Sequence, residues 1–191
     1  LDNYYPLIKQ YNSIAYQENF LTAEEIKFIL ETLDISKLEY ALVGNDIKNN
    51  SVRKSNTIFF EDYDKYDWLY SKVSSYISYI NSTNYNHILY GIQPLQYSEY
   101  DSSYAGFYSV HKDSEDTAIG LKRILSFSIQ LVDYTDYIGG DLVIQKDNHK
   151  ITSKKEKGSI TVFPSEFLHE VTPVTSGFRK SLVGWVVGPR L

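Results

Sequence analysis

The residues best suited to chemistry lie in 97–113, YSEYDSSYAGFYSVHKD, which closes on a His-x-Asp pair, His111 and Asp113. The aromatic and β-branched run 106–110 just before them reads as a strand. Side chains two apart in a strand leave the same face, so imidazole and carboxylate converge on one point. A neutral imidazole with a hard carboxylate suits a divalent first-row metal. The chain has four His and 24 acidic residues, so the pair alone is weak, and a strand-end His bonded to a local carboxylate explains it equally. A site needs a third ligand. His169 offers one, 56 residues after Asp113, in a strand-like run bracketed by Phe167 and Val171.

Ten residues beyond His169 comes Arg179-Lys180-Ser181-Leu182-Val183-Gly184-Trp185, a β-type run after the Ser176-Gly177 turn signal. A hairpin centred near 174–176 is expected to set His169 and Arg179 on adjacent strands at similar height. Alternation then places Arg179, Ser181, Val183 and Trp185 on one face: a cation, a hydroxyl and an indole towards the metal.

The elements that must position these groups are of two kinds. Thr22-Ala23-Glu24-Glu25 is a capping box, and Ile26, Ile29, Leu30 and Leu33 carry a helical stripe ending near Asp34. Trp68, Leu69, Val73, Tyr76, Ile77 and Ile80 mark a second helix over 64–80, stopped by Asn81-Ser82-Thr83-Asn84. Residues 1–20 read as an extended arm or first strand, and 40–57 as loop. From 87 onward short β-type runs follow: 87–92, 95–100, 106–111, 123–132, 141–145, 159–163, 168–172 and 179–187. Two helices and then eight short strands predict a mainly β (α+β) fold, a jelly roll with the N-terminal helices packed on one sheet. Residues 1–85 are expected to be a helical and extended support region of the same domain, and 86–191 the jelly-roll core. Within 123–131, Leu125, Phe127, Ile129 and Leu131 share one face, and Ser126, Ser128 and Gln130 the other. That polar face either lines a cavity or meets solvent.

Composition narrows the function. The 191 residues carry a net charge of −5 with no basic run longer than two, as at Lys154-Lys155, so a broad phosphate-binding surface is not indicated. The absence of Cys removes disulfides, thiolate nucleophiles and thiolate metal sites. No apolar run is long enough to span a bilayer and no signal-peptide pattern opens the chain, which leads to the expectation of a cytoplasmic protein without membrane or nucleic-acid partners. Abundant Asn, Ile, Lys and Tyr, with 18 Tyr, suit an AT-rich bacterial or viral genome. His87 and His149 have no comparable neighbours and are expected to be structural or exposed.

His111, Asp113, His169 and Arg179, in this order and spacing, resemble the iron(II)- and 2-oxoglutarate-dependent oxygenases, in their prolyl 4-hydroxylase-like branch. The flanks 123–131 with Gly139-Gly140-Asp141-Leu142, and Gly158 through Phe163-Pro164-Ser165 to Val174, are similar to that family's two ligand-bearing regions. The resemblance covers about residues 90–190 and none of the first 85. It implies a double-stranded β-helix whose two imidazoles and carboxylate hold Fe(II) on one face and leave three positions open. It further implies that 2-oxoglutarate takes two of these and O2 the third, yielding succinate, CO2 and a hydroxylated product, with ascorbate a further candidate. Arg179 would receive the distal carboxylate, since a guanidinium fork matches it bidentately. Tyr100, with Tyr97 or Tyr104 as substitutes, and Ser181 resemble residues assisting there; Tyr108 and Trp185 resemble pocket walls.

The motifs set the reaction but leave the substrate open. A peptidyl proline leads, with a free amino acid or other small molecule as the alternative, and loops 44–64 and 101–106 are read as a lid over an extended peptide or as plain surface loops. A cupin-like metalloprotein without 2-oxoglutarate and a non-catalytic binding module are the rival classes. Oligomeric state is not encoded in any motif.

Overall fold

A computed structural model describes residues 14–41, 49–114, 116–117 and 120–190. The first helix, α1 (Ala23–Thr32), begins at the capping box: Thr22 accepts from the Glu25 N–H at 3.2 Å, and the Glu25 carboxylate accepts from the Thr22 N–H at 2.7 Å. It buries Ile26 and Ile29. The second, α2 (Tyr63–Ile80), is capped by Asp62 and buries Tyr66, Leu69, Val73, Ile77 and Ile80, a stripe at helical spacing. The expected stop at 81–84 is instead a π-helical turn, Asn81–Tyr85, ended by Asn86 in the left-handed region at φ 56°. Asn tolerates that region better than most residues.

Among the described residues there are fourteen strands: β1 (Ala15–Gln17), β2 (Glu39–Tyr40), β3 (Arg53–Lys54), β4 (Asn56–Phe60), β5 (Gly91–Ile92), β6 (Leu95–Asp101), β7 (Phe107–His111), β8 (Lys122–Gln130), β9 (Tyr137–Gly139), β10 (Leu142–Lys146), β11 (His149–Thr152), β12 (Ile160–Pro164), β13 (Leu168–Val171) and β14 (Val174–Gly188). They form a major sheet in the order β1-β12-β8-β14-β6-β4-β2, with β5 and β9 also along β14, and a minor sheet β11-β10-β13-β7-β3. All recorded strand pairs are antiparallel, as a jelly roll requires.

Alternation divides the major sheet into two functions. Ile58, Phe60, Leu95, Tyr97, Leu125, Phe127, Ile129, Ile160, Val162, Leu182 and Val186 share one buried cluster with the apolar stripes of α1 and α2. The opposite face carries Gln96, Ser98, Tyr100, Ser126, Ser128, Gln130, Thr161, Arg179 and Ser181, all buried. The polar side of β8 is therefore not a solvated face. A buried polar layer of this size must be hydrogen-bonded or reserved for a ligand.

Three expectations are corrected. Residues 40–57 are not simply loop: β3 lies in the minor sheet and β4 in the major sheet, and the chain crosses between them at the fully buried Ser55. The lid over 44–64 is therefore largely strand and helix cap, apart from 42–48, which lie outside the described residues. Residues 101–106 form a tight 3-10 turn, Ser102–Tyr104, closed by Asp101 accepting from the Ser103 N–H at 2.7 Å. Finally, β13 and β14 make no hairpin. The Pro173 carbonyl accepts from Gly140, Val174 donates to Gly106, and β14 opens by pairing with β9 before entering the major sheet. His169 and Arg179 consequently face each other from opposite sheets.

Candidate active site

His111, at the end of β7, and His169, on β13, are directly opposite each other in the minor-sheet register. Their rings lie 4.2 Å apart, and their Nε2 atoms are 3.5 and 3.3 Å from the two carboxylate oxygens of Asp113. One ligand atom from each of the three residues falls within 4.8 Å of the others. Each imidazole is oriented from behind: Nδ1 of His111 is 2.8 Å from the Ser109 carbonyl, and Nδ1 of His169 is 3.0 Å from the Phe167 carbonyl. A carbonyl only accepts, so Nδ1 carries a proton; Nε2 donates to Asp113 when it is protonated as well and offers its lone pair to a metal when it is not. Two such nitrogens and one carboxylate fit a divalent metal, with open positions for other ligands.

Asp113 is buried, which by itself would push its carboxyl up. The hydrogen bonds and charge of His111 and His169 outweigh this and hold it well below the ordinary carboxylate range. Ser126 donates to its Oδ2 at 2.8 Å.

Arg179 enters the same cavity from the major sheet and is 2% exposed. Its polar partners among the described residues are two neutral hydroxyls, Ser181 at 3.0 Å and Ser128 at 3.3 Å, while its Nε is buried without a partner. Tyr100 presents its ring 5.5 Å from the guanidinium carbon. Tyr97 belongs to the helix-side cluster because it has the opposite parity on β6, and Tyr104 sits in the 3-10 turn outside the cavity lining. Of the three tyrosines considered, Tyr100 alone reaches this cavity. Gly140 makes room for Arg179: its φ is +61°, and a Cβ there would meet Arg179 Cδ at 3.1 Å and Val174 Cγ2 at 2.9 Å.

Tyr108 and Trp185 both line the cavity. Tyr108 stacks on His111 at 3.6 Å, and Arg123 lies 4.0 Å over the Trp185 ring. His87 and His149 are exposed and away from the triad. Sequence reasoning missed Arg53, which is 6% exposed, lines the cavity, donates to Ser55 at 2.7 Å and lies 4.6 Å from the Tyr108 ring centre. Its neighbourhood, Asn49-Asn50-Ser51-Val52, carries only turn signals. Ser126 and Ser128 were visible as the polar face of β8 but not as neighbours of particular site residues.

Comparison with known proteins agrees with this arrangement. Residues 95–187 match the model of the 2OG-Fe(II) oxygenase superfamily. A PKHD-type hydroxylase of Idiomarina loihiensis is 35% identical over 80 residues, covering 42% of this chain and 36% of that protein. Another from Synechococcus is 41% identical over 81 residues, covering 42% and 36%. The match thus spans little more than a third of these relatives' length. In fold, the chain resembles a Trichoplax adhaerens prolyl hydroxylase solved with a hypoxia-inducible-factor peptide fragment (TM-score 0.76, 20% identity, 92% of this chain and 83% of that one). It also resembles a Pseudomonas putida prolyl-4-hydroxylase (TM-score 0.73, 21% identity, 94% of each chain). With its His-Asp-His triad and buried arginine set on that fold, the chain is similar over residues 95–187 to the 2OG-Fe(II) oxygenase superfamily, and its fold is that of the prolyl hydroxylases named above.

Proposed function

We propose that this protein is an Fe(II)- and 2-oxoglutarate-dependent dioxygenase that hydroxylates an unactivated C–H bond, with a peptidyl proline as substrate. The observation that carries the cosubstrate assignment is Arg179. A buried guanidinium bonded, among the described residues, to neutral hydroxyls alone, with one N–H unused, is an incomplete arrangement until an anion arrives. The distal carboxylate of 2-oxoglutarate supplies that anion, and Ser181 and Ser128 hold the guanidinium fork in place for it. His111, Asp113 and His169 would hold the iron. Iron held there would supply the coupling of oxidative decarboxylation of 2-oxoglutarate by O2, to succinate and CO2, with transfer of the second oxygen atom to the substrate C–H. Leu142, Val171 and Val183 give the cavity apolar walls.

Support for a peptide comes from the surroundings and from the similar proteins. Tyr108 and Trp185, each backed by an arginine, provide aromatic walls for a proline ring. A free amino acid would need only the cavity; a peptide also needs the open surface beyond it.

The test is an anaerobic titration with Fe(II) and 2-oxoglutarate, then O2 and a succinate assay, on wild type and Arg179→Ala. A metal-to-ligand charge-transfer band and slow succinate formation, both lost in the variant, are expected. A screen of proline-containing peptides against free proline follows, with stimulation of succinate formation by peptides alone as the expected result. Iron binding without 2-oxoglutarate turnover would refute the oxygenase reading in favour of a cupin-like metalloprotein.

A further inference from the structure

Asp113 is the one member of the triad that no strand holds. β7 ends two residues earlier at His111, whereas His169 sits inside the β13 ladder. A carboxylate beyond a strand end can rotate at χ1 and χ2, yet a metal ligand must present a fixed oxygen. Two buried serines supply the restraint. The Ser165 carbonyl accepts the Asp113 N–H at 2.9 Å, and the Ser165 N–H is itself anchored on the Ile124 carbonyl at 3.0 Å. The Ser126 hydroxyl is 2.8 Å from Asp113 Oδ2 and 2.8 Å from the Ser165 hydroxyl.

Hydrogen counting gives this chain a direction. An ionised carboxylate only accepts, so the single hydroxyl proton of Ser126 goes to Asp113, and Ser165 must donate to Ser126. Exposures of 1% for Ser126 and 0% for Ser165 keep both hydroxyls out of contact with solvent. Among the described residues no hydroxyl donates to Oδ1.

We propose that Ser126, backed by Ser165, is a positioning pair that locks the Asp113 carboxylate by engaging Oδ2 and leaves Oδ1 to face the metal. The proposal rests on the reading of His111, Asp113 and His169 as a metal site. It assigns these serines to metal affinity, whereas Ser128, two residues along the same strand, serves Arg179 and the cosubstrate.

The experiment titrates apo protein with Mn(II) alone, following loss of the free-ion EPR signal, with the apo melting temperature recorded for every variant. Ser126→Ala is expected to weaken Mn(II) binding roughly 10-fold or more, the usual effect of removing an outer partner of a metal ligand. Ser165→Ala should weaken it by a smaller factor, and Ser128→Ala should leave it unchanged. A Ser126→Ala protein that melts like wild type and binds Mn(II) with wild-type affinity would overturn the proposal. Should Ser126→Ala not fold, Ser165→Ala carries the test, and wild-type affinity there overturns the relay. Wild type that binds no Mn(II), or Asp113→Ala that binds it undiminished, would overturn the metal site and the serine pair with it.

Discussion

Replacing Arg179 by methionine should move stability and cosubstrate binding in opposite directions. The guanidinium is 2% exposed, its partners are the neutral hydroxyls of Ser181 and Ser128, and its Nε is unpaired. A charge buried among neutral dipoles loses its hydration without a counter-charge to offset the loss. Exchanging buried ionic groups for apolar ones of similar volume stabilises by about 1–4 kcal/mol. That range is already net of the polar contacts removed, and the two serine hydroxyls left behind keep it to its lower half, a gain of about 1–2 kcal/mol. In a domain of this length each kcal/mol moves the melting temperature by about 2–4 °C, so apo Arg179→Met should melt roughly 2–8 °C above wild type. The cosubstrate side runs the other way. Two charge-assisted hydrogen bonds at about 1.5–3 kcal/mol each are lost, which weakens 2-oxoglutarate more than about 100-fold. Thermal melts of metal-loaded protein with and without 2-oxoglutarate read both effects. Wild type should gain about 2.7 kcal/mol at 100 times the Kd, and the variant should not respond. An apo variant that melts below wild type would refute the uncompensated charge. A variant that still responds to 2-oxoglutarate would refute the carboxylate site.

Thr22→Ala removes the cap of α1 and should cost about 1 kcal/mol, seen as a melting temperature roughly 2–4 °C lower, with succinate formation unchanged because α1 lies on the helix side of the major sheet. Gly140→Ala forces a side chain into a left-handed backbone and against Arg179; calorimetry should show 2-oxoglutarate binding weakened about 10-fold, an on-the-order-of 1 kcal/mol displacement, with Mn(II) affinity retained. Asp113→Asn should lower apo stability in a pH-dependent way. The folded carboxyl lies well below the ordinary carboxylate range, so its stabilisation is complete above that range and is lost as pH falls through the folded value. Urea melts should therefore show the gap between wild type and Asp113→Asn at its full size just above pH 4 (an approximate bound) and closing below it; a gap that widens on acidification would contradict the argument.

Much of this architecture was legible because it rests on period. The stripe Leu69, Val73, Ile77 and Ile80 of α2 can pack only as a helix, and the alternation of β8 separates Leu125, Phe127 and Ile129 from Ser126 and Ser128. Elements too short for a period were lost: the two residues of β3, the three of β9, and β11, whose four residues are all exposed. The predicted hairpin after His169 failed for a related reason. Thr172-Pro173 looks like a turn, but whether the next strand folds back or changes sheet is decided by Gly140, Gly106 and β9, which are distant in sequence. Arg53 was missed because its burial comes from Ser55, Ser98 and Tyr108 closing around it across two sheets.

The same alternation explains how one fold keeps a polar, charged interior without losing its stability. Helix packing rests on one parity of the major-sheet strands, where the substituents are aliphatic or aromatic and Gly184 leaves space for the Phe127 ring. The chemistry rests on the other parity, where Ser126 reaches Asp113, and Ser128 and Ser181 reach Arg179. Because neighbouring residues on β8 and β14 point to opposite sides, a buried guanidinium with no counter-charge among the described residues can be tolerated one residue away from a close-packed cluster. Its cost is local, and the apolar burial on the far face offsets it. Losses on the helix side should therefore appear as melting temperature, and losses on the inner side as metal or cosubstrate affinity. Arg179 is an informative exception: removing that site residue should raise stability while abolishing cosubstrate binding.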